Sequence, residues 1–219
     1  MLTALYPATC VGCGLLLRAA PEARALPLCT ACLPEAVPLA PEARTVAGCT
    51  ALFAYEGPLA AAITRLKFGG DAAVAGPLAR LLADGIATTP SLAEAGPWDL
   101  LVPIPLHPLR ALARGFDQVV LLTTWLRRTW PVGLPPEHRP RLLRRVRRTT
   151  PQTALDGQER RRNLRGAFAA RAPEALRDRR ILLVDDVTTT GATLEAGRAA
   201  LLEAGAAAVV GLALLRALP

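Results

Sequence analysis

The sequence predicts an α/β fold, a parallel sheet flanked by helices, preceded by a small cysteine-rich module. Three observations carry this. The last forty residues read strand, loop, helix, strand, with apolar runs at 181–184 and 208–215 on either side of an Ala/Leu-rich segment. Further apolar runs at 45–55 and 100–105 alternate with helix-like stretches. Four of the five cysteines fall in two close pairs near the N-terminus. With 219 residues and 52% apolar content, the chain can bury one mid-sized core plus an appendage, which excludes default disorder.

The cysteine pairs are Cys10-Val-Gly-Cys13 and Cys29-Thr-Ala-Cys32, with fifteen residues between them. This spacing fits a closed four-thiolate Zn2+ site, structural because every ligand comes from the protein. Gly14 lets the backbone curl beneath the first pair. The stretch between the pairs holds too little core to fold alone, so the metal supplies its stability. Buried or redox-active cysteine pairs are the alternative. Cys49 reads as a core strand residue. Pro34, Pro38 and Pro41 mark a linker, giving a metal module over 1–44 and the main domain over 45–219.

Along the main domain, a strand is expected at 45–55, then helices at 59–68 and 74–86 on either side of Gly69-Gly70. Residues 88–97 are turn-rich. Residues 100–105 read as a buried strand whose prolines set it near a sheet end, and 116–128 as a helix. The longest apolar run, 204–215, is short of the roughly 20 residues of a bilayer span. The first ten residues lack a basic secretory region. A cytoplasmic location is therefore expected, where thiols stay reduced.

Charge is unevenly distributed. The net charge is +8, and its basic part is arginine except for one lysine, Lys67. Residues 139–180 hold 14 arginines and four acids, a net of +10, which leaves −2 for the remainder. Such a stretch suits a polyanionic partner or, equally, a solvated surface. Aromatics are only 4%, which argues against a repeated base-stacking platform.

The residues 184–193 carry the chemistry. In open α/β sheets, ligands bind beyond the carboxyl ends of strands. Asp185 and Asp186 follow an apolar strand, and the loop 188–193 then opens a helix. Small residues let backbone N–H groups approach an anion, and the helix start adds about half a positive charge. Threonine hydroxyls add donors, while ionised aspartates only accept, as a ribose diol requires. A phosphate beside a diol describes a ribose 5-phosphate. No Gly-Lys-Ser/Thr follows, so this is not a Walker A loop.

Val184-Asp-Asp-Val-Thr-Thr-Thr-Gly-Ala-Thr193 resembles the phosphoribosyl pyrophosphate (PRPP) signature of type I phosphoribosyltransferases. The rest of the chain is similar to the ComF (GntX-like) family of competence-associated proteins. The similarity lies in the cysteine module, Leu66-Lys-Phe-Gly-Gly-Asp71, Val102-Pro-Ile-Pro-Leu-His107, Arg114-Gly-Phe-Asp-Gln118 and Arg148-Thr-Thr-Pro-Gln152. Family members often carry Asn where this chain has Asp117.

The resemblance implies a type I phosphoribosyltransferase-like domain with a zinc ribbon in front and a flexible hood over 139–180. It implies that Asp185 and Asp186 hold the ribose hydroxyls as the catalytic pair. Thr189, Thr190, Gly191, Ala192 and Thr193 would hold the 5-phosphate, with Val187 and Thr188 also among the PRPP-binding residues, and Mg2+ would arrive with the pyrophosphate. Arg114, expected at a helix start, is a candidate for pyrophosphate, with a surface arginine as the alternative. His107 reads as a structural hydrogen-bond partner. Lys67 and Asp71 fall in a family block without an assigned role. The biological setting implied is DNA uptake during transformation, alongside a competence helicase. The expectations are a PRPP-using transferase or, alternatively, a non-catalytic PRPP sensor that uses its arginines for single-stranded DNA or a protein partner.

Overall fold

Continuous apolar runs, buried on both faces, build the sheet. The computed structural model describes residues 9–17, 27–106, 108–146, 164 and 166–218. Strands β1 (Thr45–Val46), β2 (Cys49–Ala54), β3 (Leu100–Pro103), β4 (Glu137–His138), β7 (Arg180–Thr188) and β8 (Ala208–Arg216) form one sheet in the order β1-β2-β8-β7-β3-β4. Every pairing is parallel except β1 with β2. A second pair, β5 (Leu143–Arg145) and β6 (Phe168–Ala170), is antiparallel.

The helices are α1 (Pro41–Arg44), α2 (Gly57–Phe68), α3 (Ala75–Thr88), α4 (Pro90–Ala95), α5 (Pro108–Arg114), α6 (Gln118–Arg128) and α7 (Ala192–Glu203). Leu182 and Val184 of β7 join Leu59 and Ile63 of α2, Leu78 and Leu82 of α3, and Leu122 and Leu126 of α6 in one core. Ile181 and Leu183, pointing the other way, join Leu194 and Leu201 of α7 in a second. Two cores on two faces give the three-layer architecture that the strand–helix alternation predicts.

Several boundaries differ from expectation. The single strand at 45–55 is a hairpin, because Ala47 and Gly48 take positive φ (48° and 70°) between Val46 and its partner Cys49. The turn-rich stretch 88–97 contains α4, and α5 begins at Pro108, a residue pre-organised for a first helical turn. Strand β3 ends at Pro103 rather than 105.

The first cysteine pair lies in a tight turn. Gly14 takes φ of 78° and donates its N–H to Cys10 O at 2.9 Å. Cys10, Val11, Leu28 and Ala36 are buried in the same core as α2 and α3. Of the arginine-rich stretch, β5 and β6 are described, and Arg145 stacks over Phe168 with Cζ 5.6 Å from the ring centre. Residues 147–163 and 165 lie outside the described residues, as does His107. No helix among the described residues is long and apolar enough to cross a membrane.

Candidate functional site

The four predicted metal ligands converge. The sulfurs of Cys10, Cys13, Cys29 and Cys32 all lie within 4.8 Å of one another, and Cys13 Sγ is 3.7 Å from Cys29 Sγ. A tetrahedron with Zn–S bonds of about 2.3 Å has edges of about 3.8 Å, so the donor set fits zinc. The cluster is electrostatically frustrated without a cation. Burial and the neighbouring sulfurs push the Cys32 thiol up to about 12. At Cys10 burial works the same way but is outweighed by backbone N–H donors from Cys13, Cys29 and Gly12, which bring that thiol down to about 6. Cys29 N–H donates to Cys10 Sγ at 3.3 Å.

The cysteine knuckle is locked onto α2. A Cβ on Gly12 would lie 2.4 Å from Pro58 Cβ and 3.0 Å from Cys32 Sγ, so only glycine fits between the two. Arg65 of α2 donates to the carbonyls of Gly12 and Val11, the latter at 2.6 Å, and pairs with Asp71 at 3.3 Å.

The same C-terminal turn of α2 also reaches the second site, through Lys67. Strand β7 continues through Thr188, four residues past the last residue paired with β3. Asp185 and Asp186 are therefore in extended backbone and point to opposite faces. Asp185 stands beside Ala213, on the α7 side. Asp186 faces α2 and α6, where Lys67 Nζ lies 2.8 Å from Oδ1 and Gln118 Nε2 donates to Oδ2 at 3.1 Å. Burial and the adjacent Asp186 charge push the Asp185 carboxyl up to about 8, against the opposing pull of Lys67. Its Oδ1 accepts the Asp186 N–H at 2.9 Å.

The loop that follows is shaped by one glycine. Gly191 takes φ of 78° and donates its N–H to Thr188 Oγ1 at 3.1 Å. A Cβ there would stand 2.8 Å from Ala47 Cβ and 2.9 Å from Val46 O, so the loop nests against the β1–β2 turn. Gly191 is also the residue preceding α7 and brings no capping side chain. A helix leaves its first-turn N–H groups without intrahelical partners, which is the geometry that receives an anion. Thr189 is exposed, Val187, Thr190 and Thr193 half-buried, and Thr188 and Ala192 buried.

Arg114 is the last residue of α5, not the start of a helix. It donates to Gln118 Oε1 at 2.8 Å and stacks over Phe68 at 5.0 Å from the ring centre. It thus reaches Asp186 through Gln118. Asp117 caps α6, with Oδ1 accepting from Val119 and Val120 N–H and Oδ2 accepting from Leu106 N–H at 2.9 Å. Sequence reasoning left Lys67 and Gln118 without roles. The available signal was that Lys67 is the only lysine among 26 basic residues.

A phosphoribosyl transferase domain model matches residues 141–217, which include β7, the threonine loop and α7. Competence protein F of Haemophilus influenzae is 35% identical over 141 residues, 64% of this chain and 60% of that protein. The DNA utilization protein YhgH of Escherichia coli strain K12 is 34% identical over 159 residues, 71% of this chain and 66% of that protein. YhgH of Salmonella typhimurium is 33% identical over the same length. The chain thus spans somewhat under two thirds of the length of these relatives.

Proposed function

We propose, from the premise that this chain belongs to the family of competence protein F and YhgH, that it binds PRPP or a ribonucleotide 5-phosphate and acts in DNA uptake or DNA processing. The observation that carries the ligand reading is the junction of β7 and α7. There, Asp185 and Asp186 precede a turn held by Gly191 against Thr188 and the β1–β2 hairpin.

The residues divide the work. The 5-phosphate takes the backbone N–H groups and hydroxyls of 188–193, where the start of α7 favours negative charge. The ribose diol donates to Asp186, on the face shared with Lys67 and Gln118. Lys67 and Gln118 hold both Asp186 oxygens, so that carboxylate presents its remaining lone pairs in one fixed orientation. Arg114, anchored on Gln118, is the guanidinium that would stabilise pyrophosphate in this reading. Mg2+ supplies counter-charge on the pyrophosphate's own hard oxygens. In a transfer, a nitrogen nucleophile bonds to ribose C1 while the C1–O bond to pyrophosphate breaks. Pyrophosphate leaves with the electron pair, and the nucleophile releases its proton. A fold and its ligand site do not fix the reaction, so transferase and non-catalytic sensor share this binding step.

Calorimetry with PRPP and Mg2+ tests the ligand reading, with saturable heat expected. Absence of heat with PRPP and with ribose 5-phosphate overturns it. A pyrophosphate-release assay over a panel of bases and amines then separates transferase from sensor.

A second reading is favoured by the charge of 139–180, a net of +10. This stretch serves single-stranded DNA or a protein partner; the relatives' names speak of competence and DNA utilization. Replacement of Arg144, Arg147 and Arg148 is expected to weaken DNA binding and flatten its salt dependence. Unchanged affinity discards this role.

A further inference from the structure

We propose that the C-terminal end of α2 couples the metal knuckle to the ribose-phosphate site, with Arg65 and Lys67 as positioning residues, so that metal and ligand bind cooperatively. The inference rests on the ribose-phosphate reading above and adds a regulation of that site.

The geometry places two basic side chains of one helix end on two different structures. Residues two apart on an α-helix point about 200° apart. Arg65 accordingly reaches the metal knuckle and Lys67 the carboxyl end of β7. Between them Leu66 is fully buried and fixes the rotation of the helix.

The Arg65 contacts are specific to a formed knuckle. Its two terminal nitrogens take the carbonyls of Val11 and Gly12, the residues between the ligands Cys10 and Cys13. Those carbonyls are aimed together only while the turn is closed around its sulfurs. Its Nε holds Asp71, beyond the Gly69-Gly70 turn that ends the helix. The helix end is thus fastened on the knuckle side and on the side of the turn that follows it.

The Lys67 contact is specific to an oriented Asp186. Its ammonium lies 2.8 Å from Oδ1, with both side chains largely buried. Gln118 holds the other oxygen from α6. If the knuckle opens, Arg65 loses two acceptors and Pro58 loses the packing of Gly12. The end of α2 then relaxes, and Lys67 no longer fixes Asp186. Ligand bound at Asp186 acts in the reverse direction. It favours the helix position that closes the knuckle, and linkage requires the two effects to be equal.

The test is made on the full zinc-loaded chain with ribose 5-phosphate as the probe. Zinc affinity is measured by competition with a chromogenic chelator, and ligand affinity by calorimetry. Saturating ribose 5-phosphate is expected to tighten zinc about tenfold, and zinc removal to weaken ribose 5-phosphate by the same factor. Lys67→Met is expected to weaken the ligand and to abolish the protection of zinc even at ligand saturation. Lys67→Arg is expected to restore part of it. Arg65→Met is expected to weaken both zinc and ligand although it touches neither. Ribose 5-phosphate that binds wild type without changing zinc affinity overturns the coupling alone, as does undiminished protection in Lys67→Met. Failure of ribose 5-phosphate to bind wild type overturns the ribose-phosphate reading together with it.

Discussion

Asp185 and Asp186 are adjacent in the chain and sit on opposite faces of the sheet, Asp186 under Lys67 and Gln118, Asp185 beside Ala213. Their environments therefore differ. Asp185 is buried, and its carboxyl is held up to about 8 by that burial and by the charge of Asp186, with Asp117 adding to the effect and Lys67 opposing it. The folded chain consequently binds a proton at Asp185 that the unfolded chain has released. This contribution to stability is fully present below the ordinary carboxylate range near 4 and is lost as pH rises toward 8. Asp185→Asn keeps the shape and removes the titration. Its melting temperature is expected to exceed that of wild type increasingly as pH rises from 4 to 8, by about 2–4 °C for each kcal/mol recovered. A constant offset across that range counts against it. Ligand binding is expected to fall in Asp186→Asn.

Gly191 has no tolerance for a side chain. Alanine there meets both a φ of 78° and contacts of 2.8 and 2.9 Å to the β1–β2 turn. Neither neighbour is the end of a flexible chain, so the loop or the hairpin must shift. Gly191→Ala is expected to cost about 1–3 kcal/mol in thermal or chemical unfolding and to lower affinity for ribose 5-phosphate. Gly133, also at positive φ but with open space around it, supplies the control. Gly133→Ala is expected to cost about 1 kcal/mol from backbone strain alone and to leave that affinity unchanged.

The legible parts were those set by local chemistry. Cys10, Cys13, Cys29 and Cys32 announced their convergence by spacing, because two turns that each present two sulfurs suit one ion. The strands at 181–184 and 208–215 were readable because parallel strands covered on both faces are continuously apolar. The roles of Lys67 and Gln118 were not readable. They lie more than 60 residues from Asp186 in sequence, and no local pattern encodes a contact made only when α2 and α6 pack on the same face of β7. The break of 45–55 into a hairpin was hidden for a different reason. Ala47 at φ of 48° violates its own backbone preference, and only Gly48 signals a turn.

Metal removal is expected to act on the whole domain rather than on a tethered appendage. Cys10 and Val11 are buried with Leu59 and Ile63 in one core, and Gly12 packs on Pro58. Elemental analysis is expected to find one metal per wild-type chain and none after Cys10→Ser with Cys13→Ser. The double substitution should also lower the main melting transition instead of leaving it intact beside a separate early one. Two independent transitions in wild type would show that the knuckle does not share the core's cooperativity.

The geometry at Asp117 shows what a carboxylate does there. One oxygen caps α6 through Val119 and Val120 N–H, while the other accepts Leu106 N–H from the segment after β3. Asparagine has a single acceptor oxygen, so its amide nitrogen would face one of these N–H groups. Asp117→Asn is expected to cost about 1 kcal/mol in unfolding free energy. It also removes a negative charge that contributes to raising Asp185, so the carboxyl of Asp185 is expected to titrate lower in the variant. The two effects separate in a pH series. The capping loss is present at every pH above the ordinary carboxylate range, whereas relief at Asp185 shifts the declining limb of stability to lower pH and leaves the alkaline plateau higher than the capping loss alone predicts. A variant whose pH profile runs parallel to wild type throughout would show that Asp117 acts through the cap and not through the charge of the site.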